Sequence, residues 1–237
     1  MVRRNSRLSM GLVTMVAALF ALFAATAIAK TISGTNGNDT LSGTNGADRI
    51  FAKGGDDVAR GHAGRDLIRG NTGNDKLFGG RGNDVLFGGD GNDAVYGVDG
   101  NDVSFGGAGN DLMAGGRGND VQFGNQGDDT IFANRGRDVS YGGDGNDVLW
   151  ALARGDRHSK HDHYGDRLYG GKGNDTFRTR DGERDVINCG TGDDTVVADY
   201  KDAVSKNCEH VDRAAVTAPS ASDESNENST ETPPNSK

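Results

Sequence analysis

The chain has 237 residues, enough for one domain or two small ones, and carries a formal charge of −9 from 35 acidic and 26 basic side chains. That balance weighs against nucleic acid as a partner. Glycine supplies 39 residues but follows no three-residue period, and there are only three prolines, which excludes collagen; sparse aromatics leave little volume for a large conventional core.

Residues 1–29 read as an export signal. A short basic stretch, MVRRNSR, precedes the apolar run LSMGLVTMVAALFALFAATAIA, which ends in the small-x-small site Ala27-Ile28-Ala29. The run is long enough to span a membrane if retained, but its alanines and the cleavage site favour removal. A mature chain beginning at Lys30 is expected, with no membrane span. Loss of Arg3, Arg4 and Arg7 takes the charge from −9 to −12. Such a chain is expected to be secreted, where calcium is plentiful and disulfides persist.

From residue 34 a period of nine takes over. Asp39, Asp48, Asp57, Asp66, Asp75, Asp84, Asp93, Asp102, Asp111, Asp120, Asp129, Asp138, Asp147 and Asp156 fall nine apart, and thirteen of these fourteen have a glycine two residues earlier. GGRGNDVLF (79–87), GGDGNDAVY (88–96) and GGAGNDLMA (106–114) are the cleanest copies. Each reads as a six-residue turn followed by three extended residues. Glycine admits the φ > 0 conformations of the turn, V-L-F and A-V-Y have strand composition, and a helix would lose about 1 kcal/mol at every glycine. Two turns and two strands make an eighteen-residue coil, and stacked coils make two facing parallel sheets. The inward position is the second residue after each aspartate. There Ser104, Gln122 and Ser140 form a polar line on one sheet. Phe87, Phe105, Phe123 and Tyr141 should form an aromatic column on the outer face of that sheet, and Phe78, Tyr96, Phe132 and Trp150 a second column on the other.

These copies resemble the G-G-x-G-x-D-x-U-x repeat of the RTX (haemolysin-type) calcium-binding proteins. The resemblance covers roughly 34–156 and 170–178 and implies an all-β fold, a right-handed parallel β-roll. It also implies calcium ions shared by turns eighteen residues apart, as between Asp75 and Asp93, Asp84 and Asp102, or Asp93 and Asp111. The expected ligands are the aspartates from Asp39 to Asp147, with Asp175 and Asp194 from the later turns GGKGND (170–175) and CGTGDD (189–194). Residue chemistry agrees, because calcium seeks six to eight oxygens and each turn offers a carboxylate and several carbonyls. Turns that lack the second glycine, or that carry Arg65 or Arg137 beside the aspartate, should bind more weakly.

The period breaks at 151–169, where His158, His161 and His163 read as a solvated insertion; a weak transition-metal site is the alternative. The roll proper is expected over 30–178. A cap over 179–213 should be clamped by a disulfide between the only cysteines, Cys189 and Cys208. Residues 214–237 are polar and acidic and read as disordered. No HExxH, GxSxG or phosphate-loop motif is present. The leading expectation is an extracellular, non-catalytic calcium-binding roll that folds when calcium binds. A second is a calcium-stabilised surface or matrix protein whose aromatic columns mediate self-association or glycan and cell-wall binding. A hydrolase using turn carboxylates comes a distant third.

Overall fold

The computed structural model describes residues 29–151 and 165–214. The expected export signal up to residue 28, the three histidines of the insertion and the acidic tail beyond 214 lie outside the described residues.

Within them the chain forms two parallel ten-stranded sheets. Strands run from β1 (Thr31–Ser33) and β2 (Thr40–Ser42) to β19 (Ala203–Val204) and β20 (His210–Arg213); odd-numbered strands build one sheet and even-numbered strands the other. Register advances one coil at a time, with Val103 beside Val121 and Val121 beside Val139. This is the two-sheet solenoid that the nine-residue period predicts.

Side chains alternate across each strand, so every second one points between the sheets. The resulting core is a single line of residues from each side. Ile50, Ile68 and Leu86 come from the odd sheet, and Leu77, Val95, Met113 and Ile131 from the even one; none has exposed surface. Ser104, Gln122 and Ser140 occupy the same line and are equally buried. Ser140 Oγ donates to Gln122 Oε1 at 3.1 Å, whereas Gln122 Nε2 and Ser104 Oγ have no partner among the described residues.

The break in period does not break the sheets. β13 (Val139–Asp144) pairs with β15 (Arg167–Lys172), and β14 (Val148–Trp150) pairs with β16 (Thr176–Thr179). Val139 therefore sits beside Arg167, twenty-eight residues away rather than eighteen. Asp156, in phase by sequence, lies outside the described residues, and Asp166 takes the next place on the odd edge. Residues 179–213 supply the last strands of both sheets, and Cys189 and Cys208 are joined by a disulfide there.

The outer faces differ from each other. On the odd sheet Phe87, Phe105, Phe123, Tyr141 and Tyr169 stack nearly parallel, with centroids 4.7–5.0 Å apart. The column thus extends one ring beyond the expected four. On the even sheet Phe78 stacks on Tyr96 and Phe132 on Trp150, with Ala114 between the pairs. The even column was expected to be exposed, and that expectation is corrected. Phe78, Tyr96 and Phe132 are only 5–8% exposed, because each ring packs along the column and against flanking Val58, Ala94, Val98 and Leu112. Arginines cap the ring stacks, with Arg60 over Phe78, Arg69 over Phe87 and Arg178 over Trp150 at 4.8–5.0 Å.

At six turns whose second glycine is replaced the backbone keeps its positive φ, whereas Thr35 and Thr44 in the first two turns do not. Lys53, His62, Asn71, Val98, Asn125 and Asn134 all lie at φ 70–89°. A side chain in this region costs of order 1–3 kcal/mol, against about 0.5–1 kcal/mol for the greater entropy that glycine loses on folding. Lys53 is exposed, so it offers little packing in compensation. Lys53→Gly is therefore expected to stabilise the folded protein by about 1 kcal/mol, raising Tm by roughly 2–4 °C in thermal unfolding.

Candidate metal centre

Every turn ends in an aspartate that is followed two residues later by an inward side chain. The inward residue fixes the strand, and the strand fixes where the carboxylate stands. Each carboxylate turns back towards the preceding coil. Its Oδ1 accepts the main-chain N–H of the aspartate one coil earlier. Asp75 N donates to Asp93 Oδ1 at 2.7 Å, Asp84 N to Asp102 at 2.7 Å and Asp93 N to Asp111 at 2.8 Å. The pairs implied by the resemblance are thus brought together, through a main-chain donor on one member rather than as facing carboxylates.

Two such ladders run the length of the roll. One leads from Asp39 through Asp57, Asp75, Asp93, Asp111, Asp129 and Asp147 to Asp175 and Asp194, and closes on Glu209. The other leads from Asp48 through Asp66, Asp84, Asp102, Asp120 and Asp138 to Asp166, Asp185 and Asp202. Sequence reasoning left Asp166, Asp185, Asp202 and Glu209 off its ligand list. The first three carry the missed signal, an apolar residue two positions on: Leu168, Ile187 and Val204.

The second carboxylate oxygen is the unusual one. Oδ2 of Asp57, Asp66, Asp75, Asp84, Asp93, Asp102, Asp111, Asp120, Asp129, Asp147, Asp175 and Asp194 is buried and accepts no hydrogen bond among the described residues. Where the turn begins with glycine, it faces that glycine and a carbonyl of the next coil. A Cβ built on Gly79 would stand 2.5 Å from Asp84 Oδ2 and 2.8 Å from Gly97 O. The same two kinds of oxygen crowd Gly88, Gly97, Gly106, Gly124, Gly142 and Gly170. Glycine is required there for close approach, not for φ.

Desolvation of this kind disfavours charge. Burial pushes Asp75, Asp84, Asp93 and Asp147 up to about 6. Asp111, Asp120 and Asp175 reach about 7, and Asp102 and Asp129 about 8. The single N–H from the preceding coil opposes burial but does not cancel it. The first two turns behave differently. Thr35 N–H and its hydroxyl donate to Asp39 Oδ2 at 2.6 and 2.8 Å, and Thr44 does the same for Asp48 at 2.5 and 2.9 Å. Hydrogen bonds from Thr35 hold Asp39 below the usual carboxylate range. Burial would raise Asp48, but Thr44 and the Lys30 N–H outweigh it and bring it down.

The residue before each aspartate forms a third set of rungs, pointing the opposite way. Asn92 N donates to Asn74 Oδ1, Asn101 N to Asn83 Oδ1 and Asn110 N to Asn92 Oδ1, at 2.7–2.9 Å. The recurring asparagine thus binds main chain between coils.

Among the described residues no three His, Cys, Asp or Glu side chains are gathered as a metal cluster. An ion at these turns would take one carboxylate oxygen per turn and fill its shell from carbonyls. Such an all-oxygen, carbonyl-rich donor set suits a hard cation of flexible coordination. The family profile described as RTX calcium-binding nonapeptide repeat (4 copies) matches 31–59, 60–95, 69–104, 87–122, 96–131, 115–149 and 164–196. The chain belongs to the RTX calcium-binding repeat family. No curated protein matches it.

The RTX turns of this roll form two unlike edges. Turns entering the even strands add Asp56, Asp90, Asp128, Asp144 and Asp193 outside the ladder, against Lys53 and Lys172. Turns entering the odd strands up to Asp138 add Arg65, Arg81, Arg117, Arg135 and Arg137, against Asp99. Arg81 and Arg117 both reach Asp99, at 4.0 and 3.5 Å, and so point along the edge rather than into the ladder.

Proposed function

We propose that this protein is a secreted, non-catalytic calcium-binding β-roll whose folding is completed by the metal. The row of buried Oδ2 atoms without hydrogen bonds among the described residues, facing carbonyls of the next coil wherever the turn begins with glycine, carries the reading. Orphaned buried carboxylate oxygens are costly, and a calcium ion between coils would satisfy them repeatedly. The proposed ligands are the ladder aspartates from Asp57 to Asp147 with Asp175 and Asp194; Asp166 joins them on the odd edge. Asp39 and Asp48, already held by threonines, are weaker ligands. The acidic even edge loads more tightly than the arginine-bearing odd edge. Export is supported by the disulfide and by the calcium that such a roll requires.

Stacking within the odd column bears on the matrix reading. Rings less than 5.1 Å apart and nearly parallel offer solvent their edges, not their faces. A sugar ring has no open face to stack on, so cross-strand stabilisation is the better account of this column.

The test is calorimetric titration of Lys30–Lys237 with calcium, and with magnesium as control, followed by light scattering. Saturable calcium binding by a monomer, with magnesium much weaker, supports the proposal. Equal binding of both ions, or none at millimolar concentration, removes it.

One substitution isolates the ligand role. Asp93→Asn keeps an oxygen for the Asp75 N–H but replaces the charged Oδ2. The calcium affinity of that site should fall by roughly tenfold or more, while circular dichroism in saturating calcium stays at the wild-type level.

A further inference from the structure

Against a net charge of −9, one end of the roll gathers cations. A groove of about 510 Å³ opens on the outer face of the odd sheet at its N-terminal end, lined by Lys30, Arg49, Arg65 and Arg69 over a floor that includes Leu67 and Val85. Strand register explains the convergence. Arg49 sits beside Leu67, midway along the chain between Arg65 and Arg69. With strands about 4.8 Å apart and a rise of about 3.3 Å per residue, the Cα of Arg49 lies roughly 8 Å from that of Arg69, and Arg65 stands in the bend that leads into the same strand. Three guanidinium groups so placed can meet over one point.

Two further observations mark this as more than a solvated face. Arg49 and Arg65 make no ion pair or hydrogen bond through their side chains among the described residues, in contrast to Arg81 and Arg117. Arg69 lies over the Phe87 ring at 5.0 Å, which holds its guanidinium group at the groove wall. The two carboxylates in the lining, Asp48 and Asp66, are turned into the ladder. Asp48 Oδ1 accepts from Lys30 N at 2.5 Å and Asp66 Oδ1 from Asp48 N at 2.7 Å. Four cations thus face two carboxylates already engaged on the other side.

We propose that this groove binds an oxyanion, a sulfate or carboxylate group, with Arg49 and Arg65 as the principal donors and Arg69 as a pre-oriented wall. Guanidinium forks match the paired oxygens of such groups. The apolar floor leaves room for a carrier such as an acidic saccharide, and a free inorganic anion presents the same chemistry.

The experiment uses the full mature chain in millimolar calcium and about 0.15 M NaCl, where long-range attraction is already screened. Sodium sulfate, a short sulfated oligosaccharide and its unsulfated parent are titrated separately against wild type and Arg49→Gln/Arg65→Gln. Binding of a sulfated probe that falls roughly tenfold or more in the double variant, with no binding of the parent, supports the site. A gain for the oligosaccharide over sulfate identifies an acidic saccharide; equal affinity identifies a free oxyanion. Unchanged affinity in the variant, equal binding of the parent, or no binding of either anion overturns it. Calcium-dependent circular dichroism of the variant guards against misfolding, because both arginines are exposed.

Discussion

Stripping calcium from the mature protein at neutral pH is expected to unfold it. The core is one side chain deep on each sheet, and among the described residues the turn edges bury at least a dozen carboxylate oxygens that accept no hydrogen bond. Each occupied site stabilises the fold by about 2.7 kcal/mol when free calcium is a hundredfold above its dissociation constant. Four such sites contribute about 11 kcal/mol, comparable to the whole stability of a typical domain, about 5–15 kcal/mol. Chelation should therefore abolish the β-sheet signal in far-ultraviolet circular dichroism, and restored calcium should return it. A chelated protein that kept its sheet signal and melting temperature would show that stacking and the coil-to-coil ladders suffice.

Acidification in the presence of chelator should act in the opposite direction. The ladder carboxylates have folded-state pKa values raised by burial to about 6 for Asp75, Asp84 and Asp93 and about 8 for Asp102 and Asp129, against 3.8 for the free group. A carboxylate raised in the folded state takes up a proton on folding. Its contribution is full below the unfolded value and is lost as pH rises through the folded one. The metal-free roll should therefore gain structure as pH falls from about 8 to about 5. Calcium affinity should weaken over the same range, because protons compete for Oδ2. Circular dichroism across pH should rise with acid in chelator and stay high with calcium, so that the two curves converge at about pH 5. Parallel curves would mean that the carboxylates do not couple folding to charge.

Most of the fold was legible because one nonapeptide is one turn plus one strand, so the aspartate period announces the coil directly. The inward line, including the polar set Ser104, Gln122 and Ser140, followed from alternation. What escaped depends on partners eighteen or more residues away. The acceptor role of the asparagines at 74, 83 and 92 has no sign in the sequence, because it appears only when the next coil is stacked. Asp166, Asp185 and Asp202 were missed because the insertion and the longer turn before Asp185 shift the count. The burial of Phe78, Tyr96 and Phe132 was missed because flanking residues, not face, decide exposure. The threonines that close Asp39 and Asp48 stood in the weak class of turns, but their hydroxyl contacts could not be read from type alone.

The step from Asp138 to Asp166 has a practical meaning. The rung between them measures 2.8 Å, the same as the rung between Asp129 and Asp147, although it bridges ten more residues of chain. The roll counts contacts at its edges and is indifferent to the length of chain between them. A foreign peptide inserted after Ala151 should be carried outward as cargo while the coils on either side keep their alignment. The chain thus contains a ready-made splice point, which makes the roll a candidate carrier for displaying guest sequences.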